Sequence, residues 1–280
     1  MKMSFYPGCS LEGMANDYAR SITAVFEHLG IELVELEDWS CCGSTAAHSL
    51  DEMLAVALPA RNLAAAEKMG LDIVSPCANC FNRLRYSQMM IKKKIYDVPW
   101  EVSGDLQVHD MTRFLAEPEM LQSIEQRVAK PLTGLSVISY YGCQMVRPPK
   151  ITGYTDYENP QTLDSIAAAI GAEVQDWSFK STCCGASIGI GRKEIQVSLT
   201  NRLIEKARLT GADAIVVSCP LCQANLDIAQ KDDQTDAMPV FYFTELMRLA
   251  FEDDDHAHKW FKTHFTDPVP LLQRKGLLSE

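Results

Sequence analysis

The sequence predicts an α/β protein built as two pseudo-symmetric strand–helix repeats, each with a mostly parallel sheet and a Cys-rich rim. Three observations predict it. The ten cysteines recur in the same order in both halves of the 280-residue chain. Short β-branched runs alternate with amphipathic helical stretches, the pattern of parallel sheets. Most of the cysteines fall at the ends of those runs or in the turns just beyond them, where such sheets place their ligands.

The repeat is the firmest of the three. Cys41, Cys42, Cys77 and Cys80 map onto Cys183, Cys184, Cys219 and Cys222 at one offset of 142. Cys9 maps onto Cys143 at an offset of 134, so the second copy carries eight extra residues between its leading cysteine and its pair. Both pairs precede a glycine, Gly43 and Gly185, and both copies keep a gap of 34 residues before the CysxxCys. Self-similarity at this level marks an internal duplication. The flanks repeat as well: Tyr6-Pro7-Gly8-Cys9 matches Tyr140-Tyr141-Gly142-Cys143, and Leu106–Leu115 resembles Val240–Leu249. The boundary falls between Pro118 and Gly134, which bracket a short polar helix, giving repeats at 1–130 and 131–280.

Within each copy the elements follow in order. Lys2–Tyr6 and Leu135–Tyr141 read as buried strands ending at Gly-Cys. Asp17–Leu29 has helical periodicity, with Ile22, Val25, Phe26 and Leu29 on one face, and Pro160–Ile170 is its counterpart. Ile31–Leu36 and Glu173–Trp177 are strands leading to the cysteine pairs. Leu50–Met69 and Lys193–Leu209 are helices, Ile73–Ser75 and Ala214–Ser218 strands that end in a cysteine, and Asn79–Lys93 and Leu221–Lys231 the helices that follow.

Composition narrows the function. A chain with 47% hydrophobic and 22% charged residues buries a real core. A formal charge of −11, with no basic block beyond Lys92–Lys94, argues against nucleic acid. No charged-then-apolar leader and no apolar run of 18 residues is present, so the expectation is a cytoplasmic protein without a membrane span. Pro268–Leu278 is the best surface-anchor candidate, and it reads better as an ordinary C-terminal tail. In that setting ten thiols point to metal or redox chemistry and away from a disulfide framework.

Ligand arithmetic separates the metals. Structural zinc takes four ligands and a regular cubane cluster also takes four, whereas each half offers five. Adjacent cysteines fit one tetrahedral ion poorly but can serve neighbouring irons. Five thiols suit a cubane with one spare thiol or a larger, less regular iron–sulfur cluster. Zinc in one half is the poorer reading.

These motifs resemble the CysCysGly-domain proteins, most of all the B subunit of heterodisulfide reductase and its bacterial sulfur-oxidising relatives. The resemblance covers nearly the whole chain and uses all ten cysteines. It implies two non-cubane [4Fe-4S] clusters, one on Cys9, Cys41, Cys42, Cys77 and Cys80, the other on Cys143, Cys183, Cys184, Cys219 and Cys222. It further implies a disulfide cleaved or formed between the clusters. The partners it implies are a ferredoxin-like iron–sulfur subunit and a flavin-bearing subunit. Gln144 stands where methanogenic members carry His, and Gly43-Ser44-Thr45-Ala46-Ala47-His48 replaces their Pro-rich turn. The gap of 34 is one residue shorter than usual. These departures favour a lipoyl-carrying protein over a coenzyme disulfide as the sulfur substrate. Related proteins beside succinate or fumarate dehydrogenases and lactate-utilisation enzymes imply the alternative of an electron-transfer role without thiol chemistry.

Beyond the cysteines, a cleaved disulfide leaves negative charge that cations stabilise. Arg83, Arg147, Lys180 and Arg192 are the candidates by proximity, and His48 is a candidate proton donor; solvated or packed side chains are the alternative for each. Gly185–Gly191 reads as backbone slack beside a cluster, since no strand leads into it as a dinucleotide loop requires. The acidic stretch Glu252–Asp255, with His256 and His258, reads as solvated.

Overall fold

A computed structural model of the chain describes residues 1–44, 46–189, 191–230, 237–252 and 257–279. The predicted helix end at Lys231, the stretch 253–255 and His256 lie outside the described residues. The described residues form two four-stranded, all-parallel sheets. The first contains β1 (Lys2–Phe5), β2 (Glu32–Glu35), β3 (Ile73–Ser75) and β4 (Val108–Asp110) in the order β2-β1-β3-β4. The second contains β5 (Ser136–Tyr140), β6 (Glu173–Val174), β7 (Ala214–Val217) and β8 (Val240–Tyr242) in the order β6-β5-β7-β8.

The inner strands are fully buried apolar runs, as expected of a parallel sheet covered on both faces; β3 and β7 have no exposed residue. Helices fold over them because their apolar residues recur on one face. In Asn16–His28 the buried residues are Tyr18, Ser21, Ile22, Val25 and Phe26. The predicted strand Glu173–Trp177 shortens to two residues at the sheet edge, and Trp177 instead donates its indole N–H to the Ser139 carbonyl at 2.8 Å.

The outer strands β4 and β8 lie inside the repeated segments Leu106–Leu115 and Val240–Leu249, but in a different register from the sequence likeness. Ile73 pairs with Val108, and its counterpart Ile215 pairs with Val240. The sequence likeness of those segments sets His109 against Phe243, but in the sheet its counterpart is Phe241. A slip of two residues preserves the in–out alternation of a strand, so the apolar pattern fitted both registers.

This register exposes an inversion. Arg85 and Arg113 of the first half occupy the places of Asp227 and Glu245 in the second. The arginines donate to the carbonyls of Ile151 (3.4 Å) and Thr152 (3.1 Å), in a short helix, Pro149–Thr152, within the longer connection of the second copy. The carboxylate of Asp227 accepts from the amides of Phe265 (2.8 Å) and Thr266 (2.9 Å), and Glu245 meets His264 Nε2 at 3.0 Å. Each half thus has an equivalent groove closed by a different segment. The C-terminal tail belongs to this closure: Leu271, Leu272, Leu277 and Leu278 are buried, so it presents no apolar anchor face.

The halves interlock across one continuous core. Asn82, on the helix Ala78–Lys92 of the first half, donates to the carbonyls of Gln144 (2.9 Å) and Arg147 (2.8 Å) of the second. Tyr18 donates to the carbonyl of Ser218 at 2.8 Å, and Ser21 meets Thr244 at 2.7 Å.

Candidate functional site

Each nest of cysteines is assembled by the carboxyl ends of its strands. The leading cysteine sits in a short helix that starts with a left-handed glycine, Gly8 (φ +68°) or Gly142 (φ +66°). A Cβ at these glycines would lie 2.9 Å from the Cys80 sulfur or 2.8 Å from the Cys222 sulfur, so only glycine lets the backbone pass the thiol. The tyrosine two residues before each glycine holds the approach to the pair: Tyr6 donates to the Ser40 carbonyl at 2.8 Å, and Tyr140 to that of Thr182 at 2.6 Å.

The sulfurs then gather. Cys42 and Cys80 lie 3.4 Å apart, Cys184 and Cys222 3.6 Å apart. The Gly43 and Gly185 amides point at the sulfurs of Cys41 (3.5 Å) and Cys183 (3.3 Å). All ten cysteines are free, and six of them are buried: Cys42, Cys77, Cys80, Cys184, Cys219 and Cys222. Cys219 of the second nest, together with Ala78 and Asn79, which follow Cys77 of the first, lines one seam between the halves. A small cavity reaches across it, lined by Cys143, Cys183, Tyr141 and Gln144 from the second half and Asn79 from the first.

Crowded thiols titrate unequally. Hydrogen bonds from Cys41 and Cys80, aided by the charge of Arg83, hold Cys42 down at about 3. A hydrogen bond from Cys143 holds Cys183 at about 6. The donors Cys41 and Cys143 are pushed up in turn. Thiolates packed at van der Waals distance repel unless a cation sits among them, and soft thiolate sets select iron–sulfur centres or zinc. The glycine cradles and the ten unbonded sulfurs fit such an inorganic core.

The polar candidates divide. Lys180 is 2% exposed and salt-bridged to Asp164 (2.8 Å) and Asp176 (3.3 Å); its carbonyl accepts from the amides of Tyr141 and Gly142. It therefore pins the turn that carries Cys143. Arg147 pairs with Glu158 at 2.8 Å and reaches Ser181 Oγ at 3.2 Å. Arg192 is exposed and paired with Glu194. His48 is exposed on the turn Ala47–Leu50. Arg83 makes no hydrogen bond or ion pair among the described residues, and its Nε is buried.

Sequence reasoning missed three groups. Asp164, which also accepts from the Tyr141 hydroxyl at 2.8 Å, sits in the first turn of the helix Thr162–Ala169 without a motif. Asn82 bridges the halves, which no local signal reveals. Asn225 donates to the Cys184 sulfur at 3.5 Å, while its own oxygen accepts from Gln196 at 2.9 Å. The repeat could have found it, because it stands at the 142 offset from Arg83.

Comparison with known proteins adds the following. The cysteine-rich domain family, CCG, matches residues 3–85 and 137–227. The membrane anchor subunit of the 8-methylmenaquinol:fumarate reductase of Wolinella succinogenes is 32% identical over 262 residues, covering 89% of this chain and 92% of that protein. The B subunit of the ferredoxin:CoB-CoM heterodisulfide reductase of Methanosarcina mazei is 25% identical over 267 residues, 89% of each chain. A hypothetical protein from Helicobacter pylori superposes with a TM-score of 0.67 over 94% of this chain and 52% of that one; at 10% identity the likeness is one of fold.

Proposed function

The chain belongs to the cysteine-rich CCG-domain family, and from that membership we propose that it is the iron–sulfur subunit of a multi-subunit oxidoreductase that cleaves or forms a disulfide. Residues 1–130 and 131–280 form its two repeats. Cys9, Cys41, Cys42, Cys77 and Cys80 hold one non-cubane [4Fe-4S] cluster, and Cys143, Cys183, Cys184, Cys219 and Cys222 the other. Such clusters, when bound, supply one-electron redox chemistry at a sulfur-binding surface. The observation that carries this reading is the cavity that Asn79, beside the first nest, shares with Cys143, Cys183 and Cys219 of the second. Two one-electron centres side by side suit a reaction in which one S–S bond takes up two electrons and two protons to give two thiols.

The chain's own groups shape the pocket. The cavity between the halves admits the substrate sulfurs, and the buried Tyr141 and Asn79 line it. Exposed apolar side chains follow both cysteine pairs: Leu50, Met53 and Leu54 after the first, Ile188, Ile195 and Val197 after the second. This face receives the partners: a ferredoxin-like iron–sulfur subunit, which in turn contacts a flavin-bearing one. A lipoyl-carrying protein is the sulfur substrate that the departures at Gln144 and His48 favour.

The 32% likeness to the Wolinella protein supports a second reading, an electron relay within a fumarate- or succinate-type complex without thiol chemistry. No helix among the described residues is long and apolar enough to cross a membrane. One experiment decides. Anaerobically purified protein is analysed for iron, sulfide and zinc, then titrated with a dithiol such as dihydrolipoamide. About eight irons per chain and a thiol-dependent change in the EPR and absorption spectra are expected. Spectra untouched by thiol but reduced by quinol would favour the relay; one or two zincs and no sulfide would end both readings.

A further inference from the structure

The two nests differ in one charge. Of the four cations near them, three are neutralised: Lys180 by Asp164 and Asp176, Arg147 by Glu158, and Arg192 by Glu194. Arg83 has no carboxylate partner among the described residues. It follows Cys80 by three positions on the helix Ala78–Lys92, which places both on one face a turn apart. Its Nε is buried without a hydrogen bond, and its guanidinium lies over the Tyr86 ring, 5.8 Å from the centroid. Cys80, a turn away from Arg83, is itself in contact with Cys42 at 3.4 Å.

The second nest has a neutral amide at the same place. Asn225 is held by Gln196 so that its N–H₂ turns to the Cys184 sulfur. A dipole there is weaker than a full charge. The reduction potential of a thiolate-bound cluster follows net charge and hydrogen bonds to its sulfurs, and second-shell groups tune it.

Resting on the functional reading above, we propose that Arg83 makes the first nest the electron-accepting member of the pair: its centre has the higher reduction potential and takes the first electron. The guanidinium, which has no carboxylate partner among the described residues, offsets the negative charge that reduction adds there, while Asn225 leaves the second centre at lower potential. Arg83 is thus a positioning residue for charge, acting through the Cys42–Cys80 sulfurs.

The test is an anaerobic redox titration of the iron-loaded protein with dithionite, followed by EPR and absorbance, for wild type, Arg83→Gln, Arg83→Lys and Asn225→Arg. Wild type is expected to reduce in two separate waves. Arg83→Gln should move the upper wave down and leave the lower one in place. Arg83→Lys should restore the upper wave. Asn225→Arg should raise the lower wave and narrow the gap, and it reads the same effect if Arg83→Gln is too unstable to load iron. Unmoved waves in iron-replete Arg83→Gln, or an unmoved lower wave in Asn225→Arg, would overturn the inference while leaving the functional reading intact. A wild-type chain that binds no iron would remove the functional reading itself, and the inference with it.

Discussion

The first nest is open and the second is braced. Cys9 and Cys41 are exposed, whereas their counterparts Cys143 and Cys183 are half-buried. At the position just before the second pair's approach, Lys180 is buried and salt-bridged to Asp164, which also takes the Tyr141 hydroxyl. The equivalent residue in the first half is Asp38, exposed and paired with Arg61 on the surface. Duplication preserved the sulfur positions and the glycine cradles, and let everything around them diverge. The sulfur geometry is what the chemistry demands of both halves; access and electrostatics are what each half set for itself.

The sharpest way to break this comparison is to take one nest at a time. Cys80→Ser and Cys222→Ser each remove a buried sulfur that touches its pair. Each should lower bound iron from about eight to about four per chain and leave the other centre's EPR signal. Loss of all iron from either variant would show that the nests form only together.

Next in size is the brace. Lys180→Met leaves Asp164 buried without its cation, and removing one partner of a buried ion pair costs about 3–5 kcal/mol. Asp38→Ala, at the equivalent surface pair, should cost less than about 1 kcal/mol. Denaturant unfolding of the two variants under nitrogen measures the contrast, and equal losses would deny that Lys180 is a brace.

The groove closures differ in pH response. Burial works against charge on His264, but Glu245 at 3.0 Å, with Asp227 and Asp17 nearby, outweighs it and holds the imidazole protonated up to about 9, from the usual 6.5. A raised folded-state value means the stabilisation is fully present below pH 6.5 and is lost as pH rises through 9. The first groove is closed by hydrogen bonds from Arg85 and Arg113 to backbone carbonyls, which involve no imidazole. Hydrogen exchange between about pH 7 and 10 should therefore show residues 257–278 loosening relative to 149–153. Parallel behaviour of the two segments would contradict the assignment.

The smallest effect should be equal on both sides. Tyr6→Phe and Tyr140→Phe each delete one hydroxyl that donates to the chain before a cysteine pair. Each should cost about 0.5–1.5 kcal/mol, read as matching shifts in unfolding midpoint. A large disparity would mean that one tyrosine does more than hold that turn.

Much of this was legible in the residues. The strand and helix order, the repeat and the gathering of ten cysteines follow from periodicity and spacing, because sheet and helix periods and the reach of a thiol leave few arrangements. The register of β4 and β8 was not legible, since a two-residue slip keeps a strand's faces unchanged. Neither was the fate of the cations. A sequence places Arg147, Lys180 and Arg192 near cysteines but cannot say that Glu158, Asp164 and Glu194 neutralise them, because Asp164 reaches Lys180 only after a helix folds over the sheet. The bridge from Asn82 to Gln144 likewise depends on how the halves dock.

The opposite signs of the two grooves carry a consequence for manufacture. Arg85 and Arg113 receive a segment that offers acceptor oxygens, and Asp227 and Glu245 one that offers N–H groups or a cation. A nascent tail that strayed into the wrong groove would set His264 against two guanidinium ions. Matched repeats invite exchange of closing segments between neighbouring molecules, and this opposition of charge disfavours it.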